Sequence, residues 1–306
     1  MALERRAAAK SGPAEPFRCG AIAVIGRPNV GKSTLVNALV GERITITSRK
    51  PQTTRHRIRG ILTTPDAQYI FVDTPGFQTR HRGALNRAMN RSVRLALEEV
   101  DAALLVVEAG PLTEADRDVL ERVPAQTPLV LAVNKIDRLD RERLPPLLQR
   151  LARERDFAAL VPVSAERRRN LRELLKALRG LLPRQPAIYG EDDLTDRDER
   201  FLATERVREK LFRLLGDEVP YGATVIIERF EETPKLRRIY VSVVVEKEGH
   251  KAIIIGAGGA KLKAIGSAAR KELEALFGGK VYLEVWVKVR GGWTDDENMV
   301  ARFGYG

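Results

Sequence analysis

The sequence predicts two units: a doubly wound, mostly parallel α/β sheet over residues 20–183 and a smaller α+β unit over residues 199–306. Three observations carry this. Short apolar runs alternate with segments of helical spacing through the first unit, which is the pattern of a parallel sheet covered on both faces. A glycine-rich loop joins the first run to the first helix, where such sheets bind ligands. Beyond residue 198 the order changes to helix, two alternating strands, two helices around a glycine cluster, and a last strand.

Taken in order, the buried-strand runs are "AIAVIG", "AQYIFVD", "AALLVVEA", "PLVLAVN" and "AALVPVS". Between them, "ALNRAMNRSVRLALEEV" and "NLRELLKALRGLL" repeat apolar residues at helical intervals. "LLPRQPAIYGEDDLTDRDER" then breaks the pattern with prolines, a glycine and acidic residues, and predicts a linker over 184–198. The second unit opens with a long helix over "RFLATERVREKLFRLLG". It continues with the strand pair "ATVIIERFEE" and "RRIYVSVVVEKE", then the helical stretch "KAIIIGAGGAKLKAIGSAARKELEALF", and closes on the strand "VYLEVWVKVR".

The chain has 306 residues, 43% hydrophobic and 31% charged, enough for a separate core in each unit. No apolar run approaches the roughly 20 residues that span a bilayer. Residues 1–19 lack the apolar segment of a secretory signal and read as a disordered tail. The single cysteine, Cys19, excludes an intrachain disulfide, fits a reducing cytoplasm and reads as a small buried residue. The formal net charge is +12, with 53 basic and 41 acidic residues. Residues 184–306 hold 21 of each, so the surplus lies entirely in residues 1–183. Arginines such as those of "RRRNLRELLKALR" have a solvated helix face as their plain explanation.

The loop "GRPNVGKST" sets Gly26, Gly31, Lys32 and Ser33 at the spacing of a phosphate-binding loop. Glycines let backbone amides wrap a phosphate, and the helix that follows offers its free N–H groups to an anion. Gly26, Asn29, Val30, Gly31, Lys32, Ser33 and Thr34 are the candidate cradle. Lys32 is placed to reach the β- and γ-phosphates and Ser33 to ligate Mg²⁺. "NKID", Asn134 to Asp137, selects the base. A carboxylate at Asp137 accepts from guanine N1–H and its 2-amino group; adenine offers neither, which excludes an ATP-dependent kinase. Leaving that acceptor unpaired costs a few kcal/mol, roughly a hundredfold or more in discrimination. Asn134 is expected at the other edge of the base, Lys135 over the ring, and the amides of Ser164 and Ala165 at the guanine oxygen. "DTPG" supplies Asp73 for Mg²⁺ and the Gly76 amide for the γ-phosphate. In "ITSRKPQTTRHR", a threonine is needed on Mg²⁺ in a segment that orders with nucleotide. Thr54 is favoured, with Thr53 as the alternative. The candidate catalytic groups are therefore Lys32, Thr54, Gly76 and Asn29, and the metal ligands Ser33, Thr54 and Asp73. Phe77 stands where many GTPases carry a water-orienting glutamine, which predicts slow turnover. Asn29 is a candidate to hold K⁺ against the phosphates.

In the second unit, G-x-x-G at Gly256–Gly259 joins two helices. That order is the one expected of a type II KH domain, whose loop clamps single-stranded nucleic acid. Gly256, Ala257, Gly258 and Gly259 would admit the backbone. Lys251, Lys261 and Lys263 would meet phosphates, and Ile253, Ile254 and Ile255 would floor the groove. Residues 251–290 hold eight Lys and Arg against three Glu, so this stretch is locally basic. Trp286 and Trp293 read as buried strand aromatics, with base stacking as the sharper alternative.

"GRPNVGKST", "PQTTRHR", "DTPG", "NKID" and "SA", followed by "IIIGAGG" in a KH unit, resemble the bacterial Era GTPases over residues 20–306. The resemblance implies a P-loop GTPase domain, GTP/GDP and Mg²⁺ as ligands, and binding to the 3′ end of 16S ribosomal RNA. It further implies assistance to 30S subunit assembly, a monomeric state, and a cytoplasmic location with loose peripheral contact to the cell membrane. One departure is Ala260, where such loops often carry lysine, so phosphate contact falls to backbone amides, Lys261 and Lys263. The alternative function is an RNA-binding assembly factor whose nucleotide site is chiefly structural.

Overall fold

The computed structural model describes residues 16–48, 50, 52–77, 83–216 and 219–305. Most of the expected tail, residues 1–15, lies outside these; Arg18 and Cys19 belong to the first strand.

The first unit is a six-stranded sheet flanked by helices. Its strands are β1 (Arg18–Ile25), β2 (Ile58–Thr64), β3 (Ala67–Asp73), β4 (Ala102–Glu108), β5 (Leu129–Asn134) and β6 (Ala159–Pro162), in the order β2-β3-β1-β4-β5-β6. All neighbours run parallel except β2 against β3. The five expected strands are present and β2 is additional. "IRGILTT" alternates and lies half-covered at the sheet edge, so it lacks the continuous apolar signature of its neighbours. Its helices are α1 (Lys32–Val40), α2 (Ala84–Glu98), α3 (Glu114–Glu121), α4 (Leu144–Leu151) and α5 (Leu171–Arg179). One face of the sheet packs Leu35, Val36 and Leu39 of α1 with Leu174 and Leu178 of α5. The other packs Val93 and Leu97 of α2, Val119 of α3, and Leu147 and Leu151 of α4. The strand order reverses at β1, so the loop after it opens at the switch point where such sheets take ligands.

The linker is strapped to the first sheet. Cys19 N–H donates to Pro183 O (3.1 Å) and Ile61 N–H to Leu194 O (2.9 Å). The buried Gln68 Oε1 accepts from the amides of Ile188 (2.8 Å) and Tyr189 (2.9 Å). Cys19 is fully buried, and burial pushes its thiol above the usual range.

The second unit runs α6 (Glu199–Leu214), β7 (Ala223–Thr233), β8 (Leu236–Val245), α7 (Glu248–Ile255), α8 (Ala260–Phe277), β9 (Lys280–Val289) and α9 (Glu297–Arg302). The expected α-β-β-α-α-β order holds, with α9 appended. β7 and β8 pair antiparallel and β8 and β9 parallel. Val207 and Leu211 of α6, Ile265 and Leu273 of α8, and Val241 and Val243 of β8 form its core. Ile254 belongs to that core, while Ile253 is 44% exposed, so the expected isoleucine floor is divided between interior and surface. Successive residues of a helix are rotated by about 100°, which turns adjacent side chains to different faces.

The two units meet through an apolar patch and a buried arginine. Ala84, Leu85 and Met89 of α2 pack with Val244, Trp293, Val300 and Tyr305. Arg55, 2% exposed, donates to Ala223 O (2.8 Å), Pro220 O (3.0 Å) and Tyr221 O (2.8 Å). Trp293 is fully buried, as expected of a core aromatic, although it lies beyond β9 and not within it. Trp286 is 41% exposed and stacks on Tyr240 at 5.9 Å, contrary to the buried reading. It faces away from the helices because its strand neighbours Val285 and Val287 take the interior side.

Candidate functional site

The phosphate loop links β1 to α1, and its glycines are required by shape. Gly31 has φ 101°, and a Cβ there would lie 2.4 Å from Asn134 Nδ2. A Cβ on Gly26 would lie 2.4 Å from Val106 O, and one on Gly76 2.8 Å from Pro28 N. Asn29 is also left-handed, with φ 66°. Gly31 caps α1 without a side chain, so the first amides of that helix face the loop.

Lys32 is buried, and its ammonium donates to Gly26 O (2.9 Å) and Arg27 O (3.0 Å). Burial, opposed by Asp73, lowers its pKa to about 8. Beneath the loop three segments converge. Ser33 Oγ lies 2.7 Å from Thr54 Oγ1 and donates to Asp73 Oδ2 at 2.7 Å. Thr53 Oγ1 instead donates to Lys50 O (2.7 Å), so of the two threonines Thr54 joins the oxygen cluster. Asp73 is fully buried, and burial raises its carboxyl to about 6 against the opposing Ser33 hydroxyl and Lys32 charge. Among the described residues its Oδ1 has no partner within hydrogen-bond geometry. A buried carboxylate oxygen left unpaired beside two hydroxyls is a donor set for a small hard cation. Among the described residues no group of three or more His, Cys, Asp and Glu side chains could hold a metal, so a cation here would depend on hydroxyls and ligand oxygens.

The base-reading residues close the other end. Lys135 Nζ donates to Asn29 O (2.8 Å) and pairs with Glu108 (3.0 Å), tying this loop to the phosphate loop. Asn134 donates to Val30 O (2.9 Å) and accepts from Ala165 N–H (3.0 Å). These bonds make Asn134 a strut between the loops and engage the Ala165 amide that was expected at the guanine oxygen. Ser164 Oγ donates to Asp137 Oδ1, and this hydroxyl together with Arg167 and Arg138 holds Asp137 below the usual carboxylate range. A cavity of about 1060 Å³ is lined by Asn29, Gly31, Thr34, Asn134, Lys135 and Asp137, large enough for a nucleotide. Phe77 packs against the apolar layer of the sheet with Arg122 over its ring at 4.3 Å. It is thereby held in side-chain packing and presents no polar group to a water.

The second site surrounds the glycine loop. Gly256, Gly258 and Gly259 have φ of 70°, 56° and 77°. A Cβ on Gly256 would stand 2.8 Å from Lys261 Cβ, whereas Gly258 and Gly259 face open space. α8 begins with Gly259 as its cap and no side-chain acceptor, so its first amides are available to an anion. Ala257, Lys261 and Lys263 are exposed around this start, and Lys251 lies 3.8 Å from Glu248.

Two family models match: a 50S ribosome-binding GTPase over residues 21–135 and a KH domain over residues 218–294. GTPase Era of Nitrosomonas eutropha is 53% identical over 293 residues, 95% of this chain and 99% of that protein. GTPase Era of Stenotrophomonas maltophilia is 54% identical over 294 residues, 95% and 98% of the two chains. Among solved structures, a tyrosine-to-alanine variant of Aquifex aeolicus Era bound to GDP and AlF4⁻ superposes with TM-score 0.92 at 36% identity, covering 95% of this chain and all of that one. Era in complex with MgGDPNP and nucleotides 1506–1542 of 16S ribosomal RNA does so with TM-score 0.92 at 37% identity, covering 95% and 99%.

Proposed function

This chain belongs to the Era family of GTPases, and we propose that it binds and hydrolyses GTP and binds the 3′ end of 16S ribosomal RNA. In doing so it assists assembly of the 30S subunit. The observation that carries the nucleotide half is the convergence of Ser33, Thr54 and Asp73, from three separate segments, under one glycine-wrapped loop. Ser33, Thr54 and Asp73 would hold Mg²⁺, which when bound supplies positive charge against the phosphates. The loop amides from Asn29 to Ser33 bind and orient the triphosphate. Lys32 moves from its carbonyl partners to the β- and γ-oxygens. The Gly76 amide meets the γ-phosphate, and Asn29 contributes to a K⁺ position beside the phosphates. Asp137 accepts from the guanine edge, held for that task by Ser164. With Phe77 offering no polar group, intrinsic turnover is slow.

The RNA half rests on Gly256–Gly259. Three left-handed glycines at the start of α8 let a nucleic-acid backbone approach, with Lys251, Lys261 and Lys263 for its phosphates. The protein works in the cytoplasm; peripheral contact with the cell membrane is part of the proposal. Among the described residues no single helix is long and apolar enough to cross a bilayer.

The test is phosphate release from GTP together with binding of an RNA spanning the 3′ end of 16S ribosomal RNA, in GTP and in GDP. Linkage requires that a nucleotide-dependent RNA affinity be matched by an RNA-dependent nucleotide affinity. GTP turnover with state-dependent RNA binding supports the switch. RNA binding identical in all nucleotide states, with no phosphate released, supports a structural nucleotide site instead.

A further inference from the structure

Helix α6 belongs to the second unit, yet its last turn reaches the nucleotide cavity. Phe212 and Arg213 line that cavity beside Asn134, Lys135 and Asp137. The contact is built, not incidental. Thr47, which lines the same cavity, has its polar groups gripped by α6: its N–H donates to Glu209 Oε1 (3.1 Å), its carbonyl accepts from Arg213 Nε (3.2 Å), and its hydroxyl accepts from Arg213 Nη2 (3.1 Å). Glu209 is fully buried and accepts both oxygens' worth of bonds from Arg43 Nη2 (2.8 Å each) and pairs with Arg213 at 2.9 Å. Lys50 Nζ donates to Leu215 O and to Gly216 O (2.9 Å), a cation placed on the negative end of α6.

Arg213 therefore has a fixed position and a spare donor. Its Nε and Nη2 are committed to Thr47 and Glu209, whereas Nη1 has no partner among the described residues. A guanidinium presents its donors in a rigid fork, so holding one edge aims the other. Arg213 lies on the wall of a cavity that also carries Lys135 and the phosphate-loop residues Asn29 and Gly31.

We propose that the nucleotide site is composite: Arg213, contributed by the C-terminal unit, donates from Nη1 to a phosphate oxygen of the bound guanine nucleotide, and Glu209 is its positioning residue. This rests on the guanine-nucleotide reading above. The C-terminal unit then takes part in holding nucleotide, and any shift of α6 on RNA binding acts on the phosphates directly.

The test is titration of the full chain with GDP, GTP and guanosine, for the parent, Arg213→Ala, Arg213→Lys and Glu209→Gln, each checked for retained fold by circular dichroism. A charge-assisted hydrogen bond at a partly exposed position predicts about tenfold weaker GDP and GTP binding in Arg213→Ala. Guanosine, lacking phosphate, is unaffected. Arg213→Lys restores part of the loss, and Glu209→Gln shows most of it. The loss shrinks at high salt. Parent-like GDP affinity in Arg213→Ala, or an equal loss for guanosine and GDP, overturns the assignment. A parent chain that takes up no guanine nucleotide at all sinks the underlying reading, and the assignment with it.

Discussion

Arg55→Met tests how the two units are joined. Arg55 follows Thr54 directly and is 2% exposed. Its guanidinium makes three hydrogen bonds of 2.8–3.0 Å to carbonyls at the start of the second unit and lies 5.6 Å from the Phe212 ring centroid. Methionine keeps the stem and removes all three donors. Each carbonyl then loses its guanidinium donor, Pro220 O keeping the Ala223 N–H at 3.3 Å, at about 1–3 kcal/mol for each one left unpaired. Against this, the buried cation no longer has to be desolvated. The lost carbonyl bonds outweigh the relieved desolvation, so we expect about 2–3 kcal/mol of lost stability. Arg55→Lys should not rescue it, since one ammonium cannot match a planar fork. Because Thr54 is the adjacent residue, GTP affinity should fall as well. Urea unfolding followed by circular dichroism, with nucleotide titration alongside, reads both effects. An Arg55→Met chain within about 0.5 kcal/mol of the parent and with unchanged GTP affinity would refute the reasoning.

Gly76→Ala places a Cβ 2.8 Å from Pro28 N, which neither loop can yield without moving; GTP turnover should fall at least tenfold with GDP affinity nearly kept, measured by single-turnover hydrolysis. Turnover should be faster in K⁺ than in Na⁺, and Asn29→Asp should remove the difference; equal rates in both salts would end the cation assignment. Gln68→Leu leaves the amides of Ile188 and Tyr189 without their acceptor, at about 2–3 kcal/mol; limited proteolysis should then cut within residues 184–197 faster than in the parent chain.

Local spacing made part of this legible. The phosphate loop, "DTPG" and "NKID" each work through a few consecutive residues beside a strand, so their chemistry survives in the linear pattern. What was hidden depends on distant pairings. Arg55 meets carbonyls 165–168 positions away and Arg43 meets Glu209 across 166, and no periodicity records such partners. The charged residues Glu205, Arg206, Arg208, Glu209 and Lys210 of α6 are buried together with its apolar stripe of Val207 and Leu211, because one side packs in its own unit and the other meets the first. The solvated-face reading holds for Arg167 to Arg169, which are exposed. The segment read as a linker because prolines and acids break periodicity, while its attachments, among them the buried Gln68 and the Ile61 amide, lie more than 100 residues upstream. The two tryptophans separate because Trp286 lies on the outer face of β9, whereas Trp293, beyond that strand, is covered by residues of α2 and α9 that the local pattern does not record.

Calorimetric titration of the full chain with GTP and with ATP, in Mg²⁺, addresses the guanine-nucleotide site most directly. An Asp137 carboxylate held by Ser164 should favour GTP by about a hundredfold or more. Equal uptake of ATP, or no uptake of GTP, would contradict the account.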